Sequence, residues 1–400
     1  MTNVYLQESM EKKSVANQKR TVLILGSTGS VGSNAVDLIL KNPEDFQVKT
    51  LVAFRNIGKL AEQAIALNAE HVVIIDETLY QDLVCLLSGH KKISVYAGKE
   101  SMLDLARLDY DTVIAAITGI ESLEPILASI PNSSTLIIAS KESLVCAGHI
   151  ILEMARIHNT RLIPIDSEHN AIFQLWESHN VQNISTITLT ASGGPFWKYN
   201  MEEINTATIE QALAHPIWKM GNKISIDSAT MINKGFEVIT AHHLFGLPLD
   251  KIEVVVHPEG VVHGMISYVD GVTTTCFAQH HMQIPINYAL YYPSRRYSGF
   301  RPLDLTSLGG LSFYPPDHTK FPLLKIATNA VQHSLAAIIA VNAANEVAVE
   351  AFLSGLLAFG DIQKTIIHAT EKFSNSIIDT IHDIIEWDKI VRQYIFKKIR

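Results

Sequence analysis

The stretch that decides the fold is "TVLILGSTGSVGSNAVDLIL", residues 21–40. A β-rich apolar run, "TVLILG" (21–26), passes through Gly26, Gly29 and Gly32 into "SNAVDLILKN", whose apolar residues recur at helical spacing. A strand that enters a helix through a glycine turn begins a βαβ unit. Bare glycines let the backbone approach a pyrophosphate, and the helix N-terminus offers unpaired N–H groups and a partial positive charge. The spacing is GxxGxxG rather than GxGxxG, and a plain tight turn uses the same residues. The position on the first strand, ahead of a helix, favours a dinucleotide loop.

Working outward, the runs at 46–53, 71–76, 93–98, 111–117, 134–140 and 161–166 are apolar and strand-like. Helical stretches such as "IGKLAEQAIALN" lie between them. This alternation predicts an α/β fold with a Rossmann-like parallel sheet. The second strand tests the cofactor. An NAD site places an acid at its end, whereas "LVAFRNIGK" has Arg55, Asn56 and Lys59. A cation there suits a 2′-phosphate and so NADP; a solvated loop arginine is the alternative.

After residue 166 the texture changes to more open strands, expected to be antiparallel, with a hairpin signal at Asp270-Gly271. The expected organisation is a flexible extension (1–20), a nucleotide domain (21–165) and an α+β catalytic and dimerisation domain (166–298) with a lid loop near 215–223. A Pro/Gly/Ser-rich linker (299–325) and a helical C-terminal domain (326–400) follow. The 400 residues are 47% hydrophobic and 18% charged, as in a globular protein with a filled core. A formal net charge of -8 disfavours nucleic acid as partner. No stretch reads as a membrane span, the greasiest, 335–360, being broken by Asn342, Asn345, Glu346 and Glu350 in favour of a buried helix hairpin. Cys85, Cys146 and Cys276 are dispersed, and the N-terminal residues lack the apolar core of a signal peptide. A reducing cytoplasm is expected.

Chemistry concentrates in "RLIPIDSEHNAIFQ" (161–174). If the strand stays extended through Asp166, Ser167 and Glu168, both carboxylates share a face. Two hard oxygen ligands suit Mg²⁺ or Mn²⁺, while acids and a serine at a helix start also suit capping. In "HPIWKMGNKISIDSATMINKGFEVITAHHLFG" (215–246), Asp227 or Ser228 can cap a helix ending near Phe245 and Gly246. Asn233, Lys234 and Glu237 share an arc of it, able to hold a phosphate and a third metal ligand. A surface Lys234–Glu237 pair is the bland alternative. The preceding loop, with Trp218 and Gly221, has the composition of a closing lid. "TLTASGGPF" offers a nest for an anion at Ser192, Gly193 and Gly194, or a simple turn.

Taken together and in order, "GSTGSVG", "ASKES", "PIDSEHNAIFQ", "TASGGPF" and "HPIWKMGNKISIDSATMINKGFE" resemble the 1-deoxy-D-xylulose 5-phosphate reductoisomerase family. The resemblance implies an NADPH- and metal-dependent isomerisation and reduction of that sugar phosphate to 2-C-methyl-D-erythritol 4-phosphate, by a homodimer. It implies a metal on Asp166, Glu168 and Glu237. Ser167, Ser192, His215, Trp218, Ser228, Asn233 and Lys234 would bind substrate, the phosphate lying near Ser192, Ser228, Asn233 and Lys234. Lys141 would reach the substrate beside the nicotinamide, and Lys141 and His215 join the acids as the catalytic set. Thr28, Gly29, Ser30, Val31, Ser140, Glu142 and Gly221 would contact NADPH. The chain departs from the family pattern at Phe54, Ser140, Glu259-Gly260 and Gly264, which suggests a divergent branch.

Other classes fit less well. A metallohydrolase would draw on His242, His243, His257, His263, His280 and His281, but none forms HExxH, and they read as structural or surface residues. A homoserine-type dehydrogenase or a silent NADP sensor would need neither the three acids nor the phosphate residues.

Overall fold

The computed structural model describes residues 19–399. Residues 1–18 of the expected extension lie outside the described residues, and Arg20 already opens the first strand. The strands are β1 (Arg20–Leu25), β2 (Phe46–Ala53), β3 (His71–Ile74), β4 (Ser94–Ala97), β5 (Tyr110–Ala115), β6 (Ser133–Ile138) and β7 (Arg161–Pro164). Among the described residues these form a 7-stranded sheet in the order β4-β3-β2-β1-β5-β6-β7. Every pairing is parallel. Val22, Leu23, Ile24 and Leu25 of β1 are fully buried, as a central strand covered on both faces requires.

Strand order reverses between β1 and β5, so a crevice opens outside their carboxyl ends. Two glycines shape it. Gly26 has φ +84°, and a Cβ there would lie 2.7 Å from the Ala116 carbonyl oxygen. A Cβ on Gly32 would come within 2.2 Å of the Gly26 carbonyl oxygen, so only glycine lets the helix Ser30–Lys41 pack against its own turn.

The second sheet contains β8 (Ile184–Ala191), β9 (Ile252–Val256), β10 (Val262–Tyr268) and β11 (Thr273–Phe277) in the order β11-β10-β8-β9. The antiparallel expectation holds for β8, β10 and β11 but not for β9, which runs parallel to β8. The connection between β8 and β9 carries helices, the crossover that a parallel pair needs. The hairpin forms as expected, with Gly271 at φ +89° and Asp270 Oδ1 accepting the Val272 N–H at 3.0 Å.

That crossover corrects a second expectation. Asp227 and Ser228 do not start a helix; they end one, Asn222–Ala229. Met231, left-handed at φ 58°, separates it from the helix Ile232–Phe245, which Gly246 closes at φ 64°.

The connection 299–321 is not a free linker: Val256 of β9 and Tyr314 exchange backbone hydrogen bonds at 2.8 and 2.9 Å. Helix begins at Pro322, earlier than expected, with proline in the first turn where its missing N–H costs nothing. The helices Pro322–His333, Leu335–Leu353, Phe359–Phe373 and Ile381–Ile399 follow. By length and composition Leu335–Leu353 could cross a bilayer, which corrects the expectation that no stretch is apolar enough; the expected buried hairpin holds, since 78% of its apolar window is buried inside the protein and Phe359–Phe373 packs against it. Asn345 and Glu346 do not break it because their side chains have partners, Asp227 and Arg392.

Candidate active site

A cavity of about 490 Å³ lies over the carboxyl ends of β1, β5, β6 and β7. At its nucleotide end are Gly29, Ser30 and Val31, with Ala116, Ile117 and Thr118 beyond β5 and Ser140, Lys141 and Glu142 beyond β6. Gly29 holds the N-cap position of Ser30–Lys41, with no side-chain cap and no acid in the first turn. Its leading N–H groups are thus available to an anionic ligand. Thr28 is half-buried in the turn, and Gly26 sits behind it against Ala116.

Arg55 and Asn56 do not line this cavity. Arg55 is exposed and paired with Asp76 at 2.7 Å, and the Asn56 side chain caps its own helix through the Lys59 N–H. Asp76 lies just beyond β3, capping the turn that follows it, so the expected lone cation has a carboxylate beside it. The Ser140 hydroxyl is buried 2.5 Å from that of Ser122, so the side chain is spent within the fold and only its backbone is left for a nucleotide.

The opposite end is made of charge. β7 stops at Pro164, and Asp166 takes the N-cap position of the helix Ser167–Leu175. The extended-strand expectation is therefore corrected: the carboxylates converge on a helix start, not along one strand face. Yet Asp166 makes no cap hydrogen bond. Its carboxylate turns to the cavity instead, where Asp166, Glu168 and Glu237 each bring an oxygen within 4.8 Å of the others. Two lysines stand among them. Lys141 Nζ lies 3.1 Å from Asp166 and donates to Glu237 at 3.0 Å and to Asn233 Oδ1 at 2.6 Å. Lys234 Nζ donates to Glu168 at 2.8 Å, to the Thr190 carbonyl at 2.6 Å and to Glu237. The three donors of Lys234 are thus engaged by acids and backbone, and its side chain lines the cavity beside Asn233.

Burial alone would raise the Asp166 and Glu168 carboxyls, but the charges of Lys141 and Lys234 hold them below the usual range. Glu237 goes the other way, raised by burial and by neighbouring Glu168. His169, buried under the acids, donates from Nε2 to the Glu237 carbonyl at 2.8 Å and sits 3.1 Å from Asp166; burial would lower it, and Asp166 raises it above its ordinary value. It orients two of the acids at once. Asp166 Oδ2 is buried without a well-directed hydrogen bond. Three hard oxygen donors converging within 4.8 Å fit a divalent ion of the Mg²⁺ or Mn²⁺ type.

Between the two ends lie the small polar residues. Gly193 and Gly194 have φ of +85° and +69°, and a Cβ on Gly194 would meet the Ser228 carbonyl at 2.7 Å. That close approach brings the Ser192 loop against the end of Asn222–Ala229, where Ser228 lies. Ser192 Oγ is 2.9 Å from His215 Nε2. His215 Nδ1 accepts the N–H groups of Ile217 and Trp218 at 3.2 and 2.9 Å, which leaves the proton on Nε2, facing Ser192. Burial pushes His215 down to about 4, so the imidazole is neutral near pH 7. Trp218 rests between His263 and His280, ring centroids 6.1 and 5.9 Å away, so two histidines read as structural in fact flank the lid. Gly221 closes the loop as the N-cap of Asn222–Ala229. Ser167, Asn233 and Met231 complete the lining. Sequence reasoning missed Thr118, Met231 and Lys223; only Thr118, followed by Gly119 after a strand, carried a local signal.

A nucleotide crevice that runs without interruption into an acidic centre defines the class, a metal-assisted oxidoreductase of the dinucleotide-binding type. Comparison narrows it. The model of 1-deoxy-D-xylulose 5-phosphate reductoisomerase matches residues 22–148, and two models of its C-terminal domains match 162–245 and 277–394. The chain belongs to this family. The reductoisomerase of Anaplasma phagocytophilum is 44% identical over 376 residues, 93% of this chain and 97% of its own. The Zymomonas mobilis enzyme solved in complex with NADPH is 39% identical, with a TM-score of 0.89 over 96% of this chain and 99% of its own. A reductoisomerase solved with NADPH, fosmidomycin and magnesium gives a TM-score of 0.91 at 36% identity, over 95% of this chain and 98% of its own.

Proposed function

We propose that this chain converts 1-deoxy-D-xylulose 5-phosphate to 2-C-methyl-D-erythritol 4-phosphate with NADPH and a divalent metal, Mg²⁺ or Mn²⁺. The observation that carries the reading is the convergence of Asp166, Glu168 and Glu237 within 4.8 Å at the mouth of a nucleotide crevice. When bound, the cation supplies Lewis acidity toward the substrate's oxygens and NADPH supplies the hydride.

The chain's own residues do the rest. Asp166, Glu168 and Glu237 would hold the ion, and His169 keeps Asp166 and Glu237 in register. The Ser30–Lys41 N-terminus, with Gly29, Ser30 and Val31, receives the pyrophosphate. Ser192, Ser228 and Asn233 form the phosphate seat, with Lys234 adding charge from the acid side. His215, neutral and protonated on Nε2, donates into that seat. Lys141, kept charged by its acids, stands between nucleotide and metal ends, where it can stabilise oxyanion charge. Trp218 covers the reacting fragments against water.

We further propose a homodimer, supported by the family resemblance, in the cytoplasm, supported by three free, dispersed cysteines. The deciding assay mixes purified protein, NADPH, the sugar phosphate and Mn²⁺ or Mg²⁺. Metal-dependent NADPH oxidation is expected; NADPH binding without turnover would replace the enzyme by a sensor.

A further inference from the structure

Lys223 stands in the first turn of Asn222–Ala229, at the carboxyl end of the lid. A cation there opposes the helix dipole, so something else must hold it. Its Nζ lies 2.6 Å from Glu142 Oε1 and 2.7 Å from Asp227 Oδ2, with the two carboxylate side chains only 8% and 3% exposed. Glu142 belongs to the first turn of Lys141–His158, at the end of β6. The pair therefore bolts the lid to the nucleotide sheet. The other Asp227 oxygen accepts from Asn345 Nδ2 at 2.8 Å, and Asn345 is fully buried on Leu335–Leu353. The next residue, Glu346, accepts from Arg392 on the last helix at 2.6 Å. One ammonium thus joins the nucleotide sheet, the lid and the C-terminal helices.

Burial would lower Lys223, but Asp227 and Glu142 raise it, and Lys223 in turn holds Glu142 down against burial. Both stay charged. None of Lys223, Asp227 and Asn345 serves the acid centre or the phosphate seat. Yet Glu142, Lys223 and Asp227 all face the cavity, which a purely structural bridge need not do. On the far side of the lid, His215 Nδ1 holds the Ile217 and Trp218 N–H groups. Between these two fixed points Gly221 has open space around it.

We propose that Lys223 is a positioning residue for the cofactor: it fixes Glu142 and the lid's carboxyl end to each other, so that nucleotide seat and lid move as one body, braced by Asp227 and Asn345. The proposal rests on the NADPH reading above. The test compares Lys223→Met, Lys223→Arg and Asn345→Ala with the unaltered enzyme. The readouts are NADPH affinity by fluorescence titration, KM for NADPH and for the sugar phosphate, and Mn²⁺ affinity by electron paramagnetic resonance. Lys223→Met should weaken NADPH binding about ten- to thirty-fold and Asn345→Ala about two- to threefold, the range expected for residues that couple sites without touching a ligand. Mn²⁺ affinity should stay unchanged, and Lys223→Arg should restore most of the loss.

NADPH binding unchanged in Lys223→Met would overturn the proposal. So would a parallel loss of NADPH and Mn²⁺ affinity in both Lys223→Met and Asn345→Ala, which would mark the network as fold support alone. Failure of the unaltered protein to bind NADPH is a separate result, and it removes the functional reading itself.

Discussion

The two ends of the crevice are built from different materials. The nucleotide end is backbone: Gly26 and Gly32 matter for the Cβ they lack, and the nearby Ser140 hydroxyl is spent on Ser122. The acid end is side chain: three carboxylates and two ammoniums, each buried or half-buried and each compensating another. A backbone site fails sterically, when an atom is added. A side-chain site fails electrostatically, when one charge is removed and its partner stays buried. The ends should therefore break separately.

The largest effect is expected from Glu237→Gln, which removes a ligand and leaves Lys141 and Lys234 with one acid fewer. Turnover and Mn²⁺ affinity should each fall by about 100-fold or more, given the several kcal/mol a catalytic cation contributes. NADPH titration should be unchanged. An equal loss of NADPH affinity would show that the two ends are one.

Gly26→Ala tests the converse. At φ +84°, with the Ala116 carbonyl 2.7 Å from the new Cβ, the strain should cost about 1–3 kcal/mol in denaturant unfolding. NADPH affinity should drop about tenfold, the equivalent of 1.4 kcal/mol, while Mn²⁺ binding holds.

The brace between the ends has its own signature in pH. Burial pushes the Glu346 carboxyl from 4.5 up to about 7, despite Lys223 and Arg392. The folded protein therefore holds that proton more tightly than the unfolded chain. The resulting stability is full below pH 4.5 and lost as pH rises through about 7. Melting temperature should fall less over this window in Glu346→Gln, and an identical slope would remove Glu346 as the source.

The smallest effect belongs to Arg55→Ala. Its pair with Asp76 lies at the surface, so the unfolding midpoint should barely move. KM for NADPH should rise a few-fold with little change for NADH. No change in either would sink the 2′-phosphate assignment.

The legible parts of this molecule were those with a period or a missing atom. Apolar strands alternating with helices announced the parallel sheet, and the glycine turn announced its crevice. The arc of Asn233, Lys234 and Glu237 was visible because helical spacing does not depend on where the helix starts. Its start was misplaced because the break is Met231, a left-handed residue that no composition rule marks. Asp166 and Glu168 were found by residue type, although the strand argument behind them failed. The roles of Ser140, Lys223 and Lys234 were illegible for a common reason: each is decided by a partner distant in the chain, Ser122, Glu142 and Glu168 respectively.

The helix Leu335–Leu353 has a consequence for biosynthesis. It leaves the ribosome apolar enough to suit a bilayer, and the helices Phe359–Phe373 and Ile381–Ile399, which pack against it, are made afterwards. Until they arrive, a greasy surface stands open to any neighbour, the condition under which chains aggregate. A premature stop just before residue 381 would leave bare the part of that surface covered by Ile381–Ile399. The last helix, remote from the acid centre, thus covers apolar surface whose exposure favours aggregation.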